Sequence, residues 1–124
     1  MPWDDHAGEQ YCYLTTTGRT TGQPREIEIW FGIANSTLYM LSGSGGDAGH
    51  PKAHWVRNLI KHPSVTVRVG GDTFAGRARI VEPGSGEDAL ARALLVEKYQ
   101  PGYANDLSNW GRTALPVAVE LSVP

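Results

Sequence analysis

Two arginines, a glycine-rich segment and a group of aromatic residues are the features of this 124-residue chain whose types and spacing could do chemistry. Ser42, Gly43, Ser44, Gly45 and Gly46 run together just ahead of Pro51, a residue type that opens helices. Glycines let a backbone come close to a ligand, and the free N–H groups of a helix start favour an anion. Lys52 and Arg57 add charge nearby. The order of residues is neither the dinucleotide fingerprint nor a P-loop, whose lysine is missing. A ligand-free flexible loop is the competing reading. Arg19 and Arg25 flank the turn Gly-Arg-Thr-Thr-Gly-Gln-Pro-Arg and could converge on one phosphate or carboxylate. His50 and His54 have the i, i+4 spacing of a zinc pair, but no spacing supplies a third ligand, so no metal is expected. Cys12 has no histidine or acid patterned beside it and reads as a buried structural thiol. Trp30 falls on the polar phase of its strand, which suits it to stacking on a ring.

The elements that must position these residues follow from periodicity. Gln10–Thr17 is β-branched and aromatic, and Arg25–Ile33 alternates Ile27, Ile29 and Phe31 with polar neighbours, so both are predicted strands. Ala34–Ser36 turns the chain into a strand over Thr37–Ser42. A helix is predicted from Pro51 to Lys61, ended by His62-Pro63. Val65, Val67 and Val69 alternate before a Gly-Gly-Asp turn into a strand over Thr73–Glu82. Glu87–Tyr99 is predicted helical, with Leu90, Leu94 and Tyr99 facing the core. The segment Gln100–Arg112 is irregular or briefly helical, and the alternation of Leu115, Val117, Val119, Leu121 and Val123 closes the fold. The expectation is an α+β protein: a six-stranded antiparallel barrel with two to three helices at its ends.

Length allows one domain, residues 1–124, with residues 1–9 expected to be poorly ordered. No apolar run suits a membrane span, no secretory signal opens the chain, and one cysteine fits a reducing compartment, so a cytoplasmic location is expected. A net charge of −2 argues against a general nucleic-acid binder. Yet eight of the eleven basic residues lie between Arg19 and Arg79, with only four acids among them, which suggests a local anion site.

The runs LTTTGRTTGQPREIEIWF, LYMLSGSGG and HWVRNLIKHPSVTVRVGGDTFAGRARIVE, with the tail LVEKY…LSNWGRTALPVAV, together resemble the deazaflavin-dependent nitroreductase family. That family lies within the pyridoxamine-phosphate-oxidase-like split barrels. The resemblance spans about residues 12–121. It implies a split β-barrel that binds coenzyme F-420 and passes its hydride to a nitroaromatic, quinone or enone-type small molecule. Carried over by position, the phosphate and tail contacts fall on Arg19, Arg25 and Ser42–Gly46. Trp55, Arg57 and Asn58 match the helix that closes the pocket, and Glu28, Ile29 and Trp30 border the deazaflavin ring. Tyr103 is the nearest match to the tyrosines set over the substrate, as a contact or proton donor. Thr20 stands where the family usually has a lysine, and Gly43-Ser44 lacks the lysine that follows the loop serine. Those departures leave FMN or haem as alternative ligands, and a non-catalytic carrier of F-420, FMN, haem or a lipid as the alternative role. A homodimer is compatible with either.

Overall fold

The protein is described from a computed structural model that covers residues 3–43 and 53–122. Its strands are β1 (Cys12–Thr17), β2 (Pro24–Ile29), β3 (Gly32–Ala34), β4 (Thr37–Ser42), β5 (Ser64–Val69), β6 (Asp72–Ile80) and β7 (Leu115–Leu121). The helices are α1 (His54–Lys61), α2 (Gly86–Tyr99) and α3 (Ser108–Thr113), with single 3-10 turns at Asp4–His6 and Gln100–Gly102. All strand pairs are antiparallel, in the order β2-β1-β5-β6-β7-β4-β3.

That order explains both the barrel and the one correction to the strand count. The outermost strands, β2 and β3, are consecutive in the chain and separated only by Trp30 and Phe31. The two edges of the sheet must therefore meet at that crossing, which curls the sheet into a split barrel. Among the described residues there are seven strands rather than six because Arg25–Ile33 is two strands, one paired with β1 and the other with β4. The alternation of side chains continues across the crossing, so the change of hydrogen-bond partner leaves no mark in the pattern.

Other elements follow their local sequence. Asn35 and Ser36 both have positive φ, +52° and +66°, the geometry a two-residue hairpin needs. Gly70 and Gly71, at +58° and +87°, do the same between β5 and β6. Val65, Val67 and Val69 are buried as their alternation predicts. β7 is buried on both faces through Val119, because one face lines the barrel and the other lies under α2. On α2 the buried stripe is Ala91, Leu95 and Tyr99 at i, i+4 spacing. Leu90, expected in the core, lies beside that stripe and is exposed; Leu94 is half-buried against the second cluster. The N-terminal stretch is also more involved than expected. Trp3 is fully buried, donates Nε1–H to the Ser36 carbonyl at 3.0 Å and meets Phe74 edge-on.

The start of α2 is tied down electrostatically. Ser85 caps it by accepting the Asp88 N–H at 3.1 Å. Glu87 receives two bonds from Arg79, both 2.7 Å, and one from the Tyr39 hydroxyl at 2.6 Å. These donors hold the Glu87 carboxyl down at about 2, from an ordinary 4.5. Its stabilising contribution is therefore complete above pH 4.5 and is lost as pH falls through about 2. The Arg79 and Glu87 side chains are 40% and 29% exposed, so solvent screening trims the effect to about 1–2 kcal/mol. Glu87→Gln should lower the melting temperature at pH 7 by several degrees, and the gap from wild type should close towards pH 2. Thermal melts across that range check it; a gap that stays constant with pH would mean the network contributes packing alone.

Candidate functional site

The turn between β1 and β2 is held tightly. Gly18 N–H donates to the Gln23 carbonyl and Gly22 N–H to the Gly18 carbonyl, both at 2.8 Å, with Gly22 at φ +72°. This fixes Arg19 over the start of α1. Its backbone N–H and its Nη1 both donate to Asn58 Oδ1, at 3.1 and 2.9 Å. Its Nη2 donates to His54 Nδ1 at 3.0 Å, so the ring proton of His54 sits on Nε2. Asn58 is buried and spends its amide on Thr16 Oγ1, at 3.3 Å. Lys61 donates to the Arg19 carbonyl at 3.0 Å. Among the described residues no carboxylate meets the Arg19 guanidinium, whose partners are Asn58 Oδ1, His54 Nδ1 and, at 3.5 Å, the His54 carbonyl.

Arg19 borders a cavity of about 780 Å³, lined also by Gly18, Thr20, Thr21, Arg25, Ile27, Ala53, His54, Trp55 and Asn58. Among the described residues the wall holds two arginines and no carboxylate. Arg25, exposed on β2, is without a carboxylate partner among the described residues. Two guanidiniums that meet no carboxylate among the described residues stand over the apolar surface of Ile27, Ala53 and Trp55, a combination of groups chemically suited to an amphipathic anion.

β2 leads out of this cavity into a second hollow. Ile27 lines the first and Ile29 the second. From Arg25 to Ile29 the strand advances about 13 Å. The hollow encloses about 480 Å³ between Tyr11, Glu28, Ile29, Trp30, Leu41, Tyr103, Leu107 and Trp110. Trp30 is its centrepiece: Tyr99 stacks on it at 4.2 Å and 5°, while Tyr103 and Trp110 meet it edge-on at 5.4 and 5.7 Å. Flat apolar molecules suit such walls.

The expected site residues thus divide. Arg19, Arg25, Trp55 and Asn58 share the first cavity; Glu28, Ile29, Trp30 and Tyr103 share the second. Glu28 accepts the Tyr13 hydroxyl at 2.8 Å. Arg57 is exposed on α1 and lines neither space. Ser42 is buried opposite Leu115 in the sheet, and Gly43 lies against Trp110, where a Cβ would come within 3.1 Å of the ring. Ser44, Gly45 and Gly46 lie outside the described residues, as does His50. Among the described residues no three histidine, cysteine or acidic side chains form a metal-binding group. Cys12 is buried, which pushes its thiol up to about 12. Among the described residues no helix is long and apolar enough to cross a membrane.

Sequence reasoning overlooked His54 as a partner for Arg19, having weighed it only as half of a metal pair. It also overlooked Tyr11 and Leu107 in the hollow. Neither has a local signal; both are brought in by long-range packing.

Comparison with known proteins matches residues 5–122 to the family described as F420H(2)-dependent quinone reductase. The chain belongs to that family. Membership makes it an F-420-dependent reductase of the split-barrel fold, with coenzyme F-420 as its cofactor. An F420H(2)-dependent quinone reductase of Mycobacterium tuberculosis is 30% identical over 106 residues, which cover 86% of this chain and 68% of that protein. A solved F-420-H2-dependent reductase superposes with a TM-score of 0.66 at 25% identity, covering 91% of this chain and 94% of its own. A second solved chain, described as a domain-swapped dimer, gives 0.67 at 26%, covering 91% and 80%. The donor set among the described residues fits the coenzyme: two arginines with no carboxylate between them suit its anionic tail, and the apolar strip along β2 suits its flat ring.

Proposed function

We propose that the chain reduces quinones, with nitroaromatic and enone acceptors as further substrates, by holding F-420 across the two spaces joined by β2. The observation that carries this reading is that one strand, β2, borders both a cavity whose described wall holds two arginines and no carboxylate and an aromatic hollow. When bound in its reduced form, the coenzyme supplies a hydride. Arg19 and Arg25 hold its anionic part, and Asn58 and His54 keep Arg19 in place. Ile27, Ile29 and Trp55 border the ring, and the hollow under Trp30, Tyr103 and Trp110 orients a flat acceptor. A quinone that takes a hydride needs one proton to become a hydroquinone. Tyr103, lining the hollow and 42% exposed, supplies it or relays it from solvent. No side chain is required as a nucleophile.

Two titrations of the purified protein, with F-420 and with FMN, test the cofactor side by fluorescence quenching. F-420 should bind more tightly, and its affinity should fall as salt is raised, because the arginines face an anion. A flat salt profile would remove the arginines from the tail site. Oxidation of reduced F-420 should then depend on added menadione, a small naphthoquinone. Tight cofactor binding without turnover on any of the three acceptor classes would favour a carrier instead.

A further inference from the structure

We propose that Tyr99 is a positioning residue for the acceptor: from the end of α2 it fixes the plane of Trp30 and so sets the wall of the aromatic hollow. The proposal rests on the reading of that hollow as the acceptor site, and it concerns a side chain that lines neither space.

Trp30 and Phe31 form the crossing between β2 and β3, outside both strand ladders. Phe31 is fully buried, so its peptide groups need partners that the sheet does not provide. Tyr99 provides one: its hydroxyl accepts the Phe31 N–H at 2.9 Å. The same hydroxyl lies 2.9 Å from the Phe31 carbonyl and 3.0 Å from that of Gln10, to either of which it can donate. Lys98 adds a donor to the Phe31 carbonyl at 2.9 Å, with its ammonium 3.8 Å from the Phe31 ring centre. The ring of Tyr99 meanwhile lies parallel to Trp30. One side chain therefore holds the crossing by its hydroxyl and the indole by its face. Its own burial makes the hydroxyl a poor acid, pushed up to about 12, which suits a fixed hydrogen-bonding role.

Tyr99→Phe keeps the ring and removes the hydroxyl, orphaning the Phe31 N–H. In the folded variant the near-ultraviolet circular dichroism of the ligand-free protein should change, reporting altered Trp30–Tyr99 coupling. KM for menadione should rise at least fivefold, while kcat stays within about threefold and F-420 affinity within about twofold. Lys98→Met, which removes the second donor but leaves the stack, should show the same pattern at smaller size and covers the case of a Tyr99→Phe protein that fails to fold. Unchanged KM in the folded variants overturns the positioning role, as does a parallel loss of F-420 and menadione binding, which a merely structural tether would give. A wild-type protein that neither binds nor reduces menadione would overturn the acceptor reading, and this proposal with it.

Discussion

Alanine at both Arg19 and Arg25 is expected to weaken F-420 binding at least a hundredfold, about 3 kcal/mol, in a protein that still folds. Each guanidinium contributes about 1.5–3 kcal/mol if it meets an anionic oxygen. The two need not add fully, since they face one ligand. The single variants separate binding from support. Arg25 is exposed on β2 and has no carboxylate partner among the described residues, so Arg25→Ala should reduce affinity and leave the melting temperature of the ligand-free protein unchanged. Arg19→Ala also takes the guanidinium bonds to Asn58 and to His54 out of the junction between the turn and α1. It should cost stability as well as affinity. Fluorescence titration gives the dissociation constants, and the shrinking of ligand-induced stabilisation should follow them. A folded double variant that binds F-420 like the wild type would move the anionic part of the coenzyme away from this cavity.

What could be read in the sequence was whatever one strand or helix decides locally. Val65, Val67 and Val69 alternate because β5 has one buried face, so their placement needed nothing distant. Arg19 and Arg25 were legible as neighbours, and both line the first cavity, because a short turn brings them together whatever the rest of the chain does. Trp30 was legible as a stacking residue because its phase denied it the core, although the partner it stacks on, Tyr99, lies at the far end of α2. The crossing at Trp30–Phe31 was not legible. It is a change of partner strand, and period-two alternation records which face a side chain takes, never which neighbour the backbone bonds. Leu90 shows the same limit on a helix: apolar type allowed two adjacent stripes, and packing against β3 and β4 chose the one through Ala91 and Leu95. Trp3 was invisible because its partners, Ser36 and Phe74, are remote in sequence.

Gly32→Val is the change expected to disturb one end of this site and spare the other. Gly32 opens β3 directly after the crossing and is buried under α2. A Cβ there would lie 2.8 Å from both Cγ and Cδ2 of Leu94, and 3.4 Å from Leu95 Cδ1. The clash reaches the branch point of Leu94, so rotation of its tip alone does not relieve it, and valine adds two methyl groups more. α2 must move outward from β3 or the crossing must bend. The overpacking should cost about 2–3 kcal/mol, which lowers the melting temperature by roughly 10 °C in a chain of this size. Either response disturbs the contact between Tyr99 and Trp30, so KM for menadione should rise. Arg19 and Arg25 stand at the opposite end of β2 and touch neither Leu94 nor Leu95, so F-420 affinity below the melting transition should stay within about threefold. Melts, cofactor titrations and acceptor kinetics on the same preparation read all three quantities. An unchanged melting temperature would mean that α2 sits less tightly on β3 than the geometry requires. Equal losses of cofactor and acceptor binding would mean that the two ends of β2 do not act separately.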